Sequence, residues 1–149
     1  MKNLSLLALA LALGACSLNA QNNYYMALGG VGNEEAWQMV KTYSTLDPTN
    51  PEGEFMIVGY VQTATYTHGT TGARDGLVVR MKPNGTIIWA EAIGGKFDDE
   101  FRDIVYYQGA YYCVGITKSW EQLQKTQNPA TAGAGNIFLV KILDNGAIE

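Results

Sequence analysis

Two segments of this 149-residue chain repeat one another, and that repetition limits the fold more than any other feature. Gly29-Gly30 lines up with Gly94-Gly95, Val58-Gly59 with Val114-Gly115, and Asn84-Gly85 with Asn145-Gly146. The offsets are 65, 56 and 61 residues, so the copies differ by two changes of loop length. Ala27/Ala92, Glu35/Glu100, Val40/Val105 and Val79/Val140 are further identities in the same order. Fixed-order self-similarity at such a period is the signature of a repeat architecture. The first copy is read as 24–88 and the second as 89–149.

Each copy predicts four short strands. Ala36–Thr42 matches Phe101–Tyr107, Phe55–Gln62 matches Tyr111–Lys118, and Gly76–Lys82 matches Ile137–Leu143. The fourth strand is Thr86–Ile93, with Tyr24–Leu28 as its counterpart at the start of the chain. Asn-Gly after the third strand predicts a hairpin whose two central residues take positive φ, and Gln108-Gly109 predicts another tight hairpin. Loops are expected at Ser44–Glu54, Thr63–Arg74 and Ser119–Gly135, with one helical turn over Trp120–Gln127.

The pattern within the strands decides the layering. Leu77, Val79 and Met81 alternate with Val78 and Arg80, and Phe138, Val140 and Ile142 alternate with Leu139 and Lys141. Phe55–Tyr60 is apolar on both sides, with Phe55, Ile57 and Gly59 on one and Met56, Val58 and Tyr60 on the other. A sheet with one side in water would carry polar residues there. Radially stacked sheets cover both sides.

These residues together resemble the exported β-propeller repeats of many bacterial and some protist surface proteins. Blades of that family read W-x-x-x-[YF]-G-G-x-x-x-D-[DE], then a strand ending [VL]-x-G, then D-x-[YWF]-[VL]-x-[KR], then N-G and Trp. The second copy carries Trp89, Gly94-Gly95, Asp99-Glu100, Val114-Gly115, Lys141 and Asn145-Gly146. The first carries Gly29-Gly30, Glu34-Glu35, Val58-Gly59, Asp75, Arg80 and Asn84-Gly85, with Tyr24 in place of the opening Trp. The resemblance implies an all-β chain of two four-stranded antiparallel propeller-like blades, a partial propeller. It implies nothing about activity, since propellers host many unrelated ones. Two such units leave outer faces bare, which predicts further blades in a longer parent chain or completion by self-association.

The first twenty residues read differently. Lys2 precedes an apolar run, Leu4–Leu13, broken only by Ser5. Ten residues are too few to cross a hydrocarbon core of about 30 Å as a helix, but they suit a signal peptide at 1–20. The chain is therefore expected to be exported: secreted, periplasmic or on the cell surface. Leu13-Gly14-Ala15-Cys16 resembles a bacterial lipobox, which would make Cys16 a lipidation site and a lipid anchor the only membrane attachment; cleavage after Ala20 is the alternative. Cys113, in the apolar run Tyr111–Gly115, reads as a small buried hydrophobe.

Fourteen acidic against ten basic residues give a net charge of −4, with no basic run to neutralise phosphates, which argues against nucleic acid. Asp98, Asp99, Glu100 and Asp103 form an acidic group that Ca²⁺ could use, as an oxygen-seeking ion, but their spacing is not that of an EF-hand. A rim loop whose carboxylates accept backbone N–H groups and keep it soluble is the preferred account of them. His68 stands alone, and no G-x-S-x-G elbow accompanies it. No catalytic set emerges. Tyr66, His68 and Trp120, in the long loops, are the candidates for contact with a glycan or peptide ligand. The sequence thus predicts a non-catalytic module for ligand binding, adhesion or protein interaction. An enzyme whose catalytic groups lie in further blades or another domain, and a purely structural scaffold, are the alternatives.

Overall fold

A computed structural model describes residues 27, 32–43, 53–62, 74–119 and 135–149 of the chain. The signal segment, Cys16, the Tyr24–Leu28 strand save Ala27, Tyr66, His68, Trp120 and the helical turn lie outside the described residues. Those described form an all-β structure with seven strands and no helix. They are β1 Glu34–Thr42, β2 Glu54–Val61, β3 Asp75–Met81, β4 Ile87–Ile93, β5 Asp99–Tyr107, β6 Ala110–Thr117 and β7 Asn136–Leu143. They make two open antiparallel sheets, β1-β2-β3-β4 and β5-β6-β7.

Among the described residues the second sheet has three strands where four were expected, and beyond them only Ile148 makes an isolated bridge, to Ile142. The first sheet takes β4, the strand expected at Thr86–Ile93, as its fourth and so extends across the 88/89 point where the sequence pattern restarts. Periodicity marks where a pattern restarts, whereas hydrogen bonding follows the tight turn that hands β3 on to β4. That turn also departs from expectation. Only Gly85 takes positive φ, at 88°, while Lys82 accepts from the N–H of Gly85 and donates to Thr86. This is the pattern of a type I turn closed by a left-handed glycine rather than of a type I′ turn. Leu143, Gly146 and Ala147 repeat the pattern, and Asn84 and Asn145 each accept an N–H two residues on. The two-residue turn with both φ positive is Gln108-Gly109, at 47° and 84°.

Alternation and register define two faces on each sheet. On the first sheet, Val40, Met56, Val58, Val78, Arg80 and Ile93 share one face, here called the front. Ile57, Val61, Leu77, Val79, Met81 and Ala92 share the back. On the second sheet, Val105, Tyr112, Val114, Leu139 and Lys141 share a front, while Phe101, Tyr111, Cys113, Phe138, Val140 and Ile142 share a back. The main core lies between the sheets, where Met56, Val58, Val78 and Ile93 meet Phe101, Ile104, Tyr111, Cys113, Phe138 and Val140. The Phe101 and Phe138 rings stack with centroids 4.8 Å apart. A smaller core of Val61, Leu77, Val79, Met81 and Ala92 covers the back of the first sheet. Strand β5 lies nearest the first sheet and runs across β1, β2 and β3.

Both sheets carry a bulge at their first strand pair, Ala36/Gln38 in β1 and Phe101/Asp103 in β5. Opposite each stands a glycine. A Cβ on Gly59 would lie 1.7 Å from the Glu35 carbonyl oxygen, and one on Gly115 would lie 1.8 Å from that of Glu100. The bulge pushes backbone into the space a side chain would need, which is why Val58 and Val114 are each followed by Gly. Gly115→Ala is therefore expected to cost about 3 kcal/mol or more, since backbone must move. Gly109→Ala, with no neighbour within 4 Å and only its φ of 84° to strain, should cost about 1–2 kcal/mol. Urea unfolding of the two variants measures the difference.

Candidate functional site

Two polar constellations stand out from these apolar layers. The first is built on Arg80, which alternation in β3 places on the front, between the sheets, rather than in solvent. It is 1% exposed, among the most buried side chains described. Its Nε donates to Glu54 Oε2 at 2.6 Å, from β2 beside it. Its Nη1 crosses to the second sheet and donates to Asp144 Oδ1 at 2.9 Å and to the Asp144 carbonyl oxygen. Trp89 Nε1, from β4, donates to the same carbonyl at 3.2 Å. The Tyr111 hydroxyl donates to Asp144 Oδ1 at 3.2 Å and pairs with the Thr42 hydroxyl at the end of β1. Strands β3 and β4 thus reach one turn of the second sheet directly, while Thr42 of β1 is joined to it through Tyr111 and Glu54 of β2 through Arg80.

A guanidinium this buried holds its charge only because the partners outweigh the lost hydration. Burial works against the charged form of Arg80, but the Glu54 hydrogen bond and the nearby negative groups hold its pKa above the ordinary value. Burial also pushes the Tyr111 phenol up to about 12, with the Arg80 charge and the Thr42 contact opposing it, and pushes the Cys113 thiol up to about 12. Every group here is turned toward another group of the cluster, save that Arg80 Nη2 meets no acceptor among the described residues. The cluster clamps two sheets; it does not present a nucleophile or a base to solvent. Sequence reading noted Arg80 as part of the repeat pattern but missed Glu54 and Asp144. The available signal was a cation within an apolar strand on the side that carries Val78.

The second constellation is the acidic group at the start of β5. Asp99 is fully buried, its Oδ2 accepting the Gly95 N–H at 2.7 Å and its Oδ1 the Lys118 N–H at 3.1 Å. Asp75, also buried, flanks Gly94 from the other side: a Cβ on Gly94 would stand 2.1 Å from Asp75 Oδ1 and 2.6 Å from Asp99 Oδ2. The Gly-Gly pair is thus the room that these carboxylates need. Asp98 faces Lys118 Nζ at 3.3 Å and Arg74 at 3.9 Å; Glu100 pairs with Arg102; Asp103 accepts the Ile104 N–H at 2.7 Å. The four acids read as Ca²⁺ candidates are therefore engaged by cations and backbone N–H groups, with Arg74 shared by Asp98 and Glu100 and Lys118 by Asp98 and Asp99. Among the described residues no three His, Cys, Asp or Glu side chains gather closely enough to hold a metal ion.

No protein-family model matches the chain, and no curated protein is significantly similar to it.

Two outcomes follow from the Arg80 cluster. Arg80→Met leaves Glu54 and Asp144 buried without their cation and should cost about 3–5 kcal/mol in urea unfolding. The raised pKa values of Tyr111 and Cys113 give an alkaline loss. The unfolded chain releases these protons near 10.0 and 9.0, whereas the folded chain keeps them until about 12. Their contribution is complete below pH 9 and falls as pH rises, by at most about 1.4 kcal/mol per pH unit for each group. Cys113→Ala should move the onset of that decline from near 9 to near 10, read from urea midpoints across pH.

Proposed function

We propose that the chain is an exported, non-catalytic propeller-type repeat module that presents an interaction surface outside the cytoplasm. One observation carries the reading. Aligned positions of the two copies do not face each other across the core: Val58 points at the second sheet, while Val114, its counterpart, points away and is 38% exposed. Met56 and Tyr112, Val78 and Leu139, and Arg80 and Lys141 divide in the same way. Two sheets related by a twofold would meet through like faces. Here the front of one covers the back of the next, as in a stack of blades that can be extended.

Other features support the parts of the reading. The Lys2 and Leu4–Leu13 pattern supports export, with Cys16 as the residue that would carry an anchor. The buried polar groups around Arg80 are spent on holding sheets together, which favours a scaffold with a binding rim over a reaction centre. Tyr43 at the end of β1 and Tyr106 and Tyr107 at the end of β5 are exposed aromatics with polar tips, suited to a glycan or peptide.

The stacking is tested by introducing one charge at aligned positions. Val58→Asp should cost about 4 kcal/mol or more, because it buries a carboxylate between the sheets. Val114→Asp should leave the urea midpoint nearly unchanged at concentrations low enough to keep the chain single. Equal loss from both would remove the front-to-back arrangement. The binding role is tested by titrating the purified chain on glycan and peptide arrays, where saturable binding that weakens in Tyr43→Ala or Tyr107→Ala is expected. Absence of any saturable ligand would leave a scaffold only, and a chain that stays in the cytoplasm with its leader intact would remove export.

A further inference from the structure

We propose that two copies of the chain join head to tail, the back of β1 of each copy resting on the front of β5–β7 of the other, to close a twofold ring of four sheets. The proposal rests on the repeat reading above and names the partner of the surface which that reading leaves open.

The open surface is the front of the second sheet. Ile137 is 84% exposed, Leu139 64% and Val105 58%, with Val114 and Ile116 beside them. Strand register puts these five on one face, together with Glu100, Asp103 and Lys141. Isolated apolar residues at a surface are ordinary; a cluster of five is the mark of an interface. The aligned positions of the first sheet, including Val58 and Val78, are fully buried against the second sheet within the same chain.

The shape of that face indicates which back would fit it. In the existing interface Gly76 makes room for Phe101, whose ring carbons lie 2.7 Å from where a Cβ would stand. The residue aligned with Gly76 is Ile137, and the residue aligned with Phe101 is Ala36. Bulk and space have changed sides, so Ile137 of one copy fits over Ala36 of another. Ala36 and Met39 are exposed on the back of β1, the strand aligned with β5, and β5 is the strand that makes the closest approach in the interface already formed. The β2 and β3 part of that back is already buried through Val61, Leu77, Val79 and Met81, so β1 is the part that docks.

A second contact points the same way. Trp37 and Arg102, the aligned residues at the two bulges, stack on each other with the guanidinium 4.0 Å from the ring centroid. Trp37 remains 44% exposed and the Arg102 side chain 44%, so each has a free side. In the ring, Arg102 of one copy receives Trp37 of the other, and the four side chains alternate around the axis. Each copy offers one front and one back, so a twofold pairing closes the set and leaves neither open.

Sedimentation equilibrium of the purified chain at micromolar concentration should report twice the chain mass. Ile137→Glu with Leu139→Glu should return it to a single chain with unchanged far-UV circular dichroism. Ile137→Gly and Ala36→Phe should each weaken association by roughly tenfold or more, and the two together should restore it by recreating the Gly76–Phe101 fit. A single-chain mass at every concentration, a mass that grows without limit, or a dimer indifferent to Ile137→Glu would overturn the ring. If Val58→Asp and Val114→Asp still differ as expected, the front-to-back repeat stands and only the ring is lost.

Discussion

A β-sheet that is apolar on both sides needs a layer on each, and the architecture of this chain follows from that need. Strand β2 buries Met56 and Val58 against the second sheet and turns Ile57 and Val61 to the opposite face, where Val61 is buried and Ile57 half-buried. Burial of a Val, Ile or Met side chain contributes about 1.5–3 kcal/mol. Leaving either side of such a strand wet would remove several such contributions at once. Packing the front of the first sheet on the back of the second satisfies one face of each, and the front of β5–β7 carries the unmet need outward.

The buried polar groups make that packing specific rather than merely greasy. Apolar faces slide on one another at little cost, whereas Arg80 must find Glu54 within its own sheet and Asp144 on the other. A misplaced sheet would strand a charge in the core. The bulges act at a different level. By thrusting the carbonyls of Glu35 and Glu100 toward Gly59 and Gly115, they bend the first strand of each sheet and turn Trp37 and Arg102 toward each other. The acidic loop before β5 is local capping of the same kind, with Asp99 held by two backbone N–H groups.

Much of the strand map was legible because period-two alternation and glycine positions are local signals. Leu77, Val79 and Met81 were assigned to a common side from sequence, and they share the back of the first sheet. The turn chemistry was less legible. Asn84-Gly85 and Asn145-Gly146 carry the letters of a type I′ turn, yet Pro83 and Asp144 precede them and only the glycines take positive φ. The roles of Glu54 and Asp144 were not legible at all. Each looks like an ordinary loop acid, and only the approach of two sheets separated by dozens of residues turns them into ligands of one guanidinium.

By itself the sequence determined that this chain is a β protein, where its strands run, and that one sheet must be covered on both faces, because these properties lie in neighbouring residues and their alternation. The tertiary structure alone decided that unlike faces meet and that Arg80 joins the two sheets. The reason is physical: alternation tells which residues share a side, but it carries no information about what that side will touch.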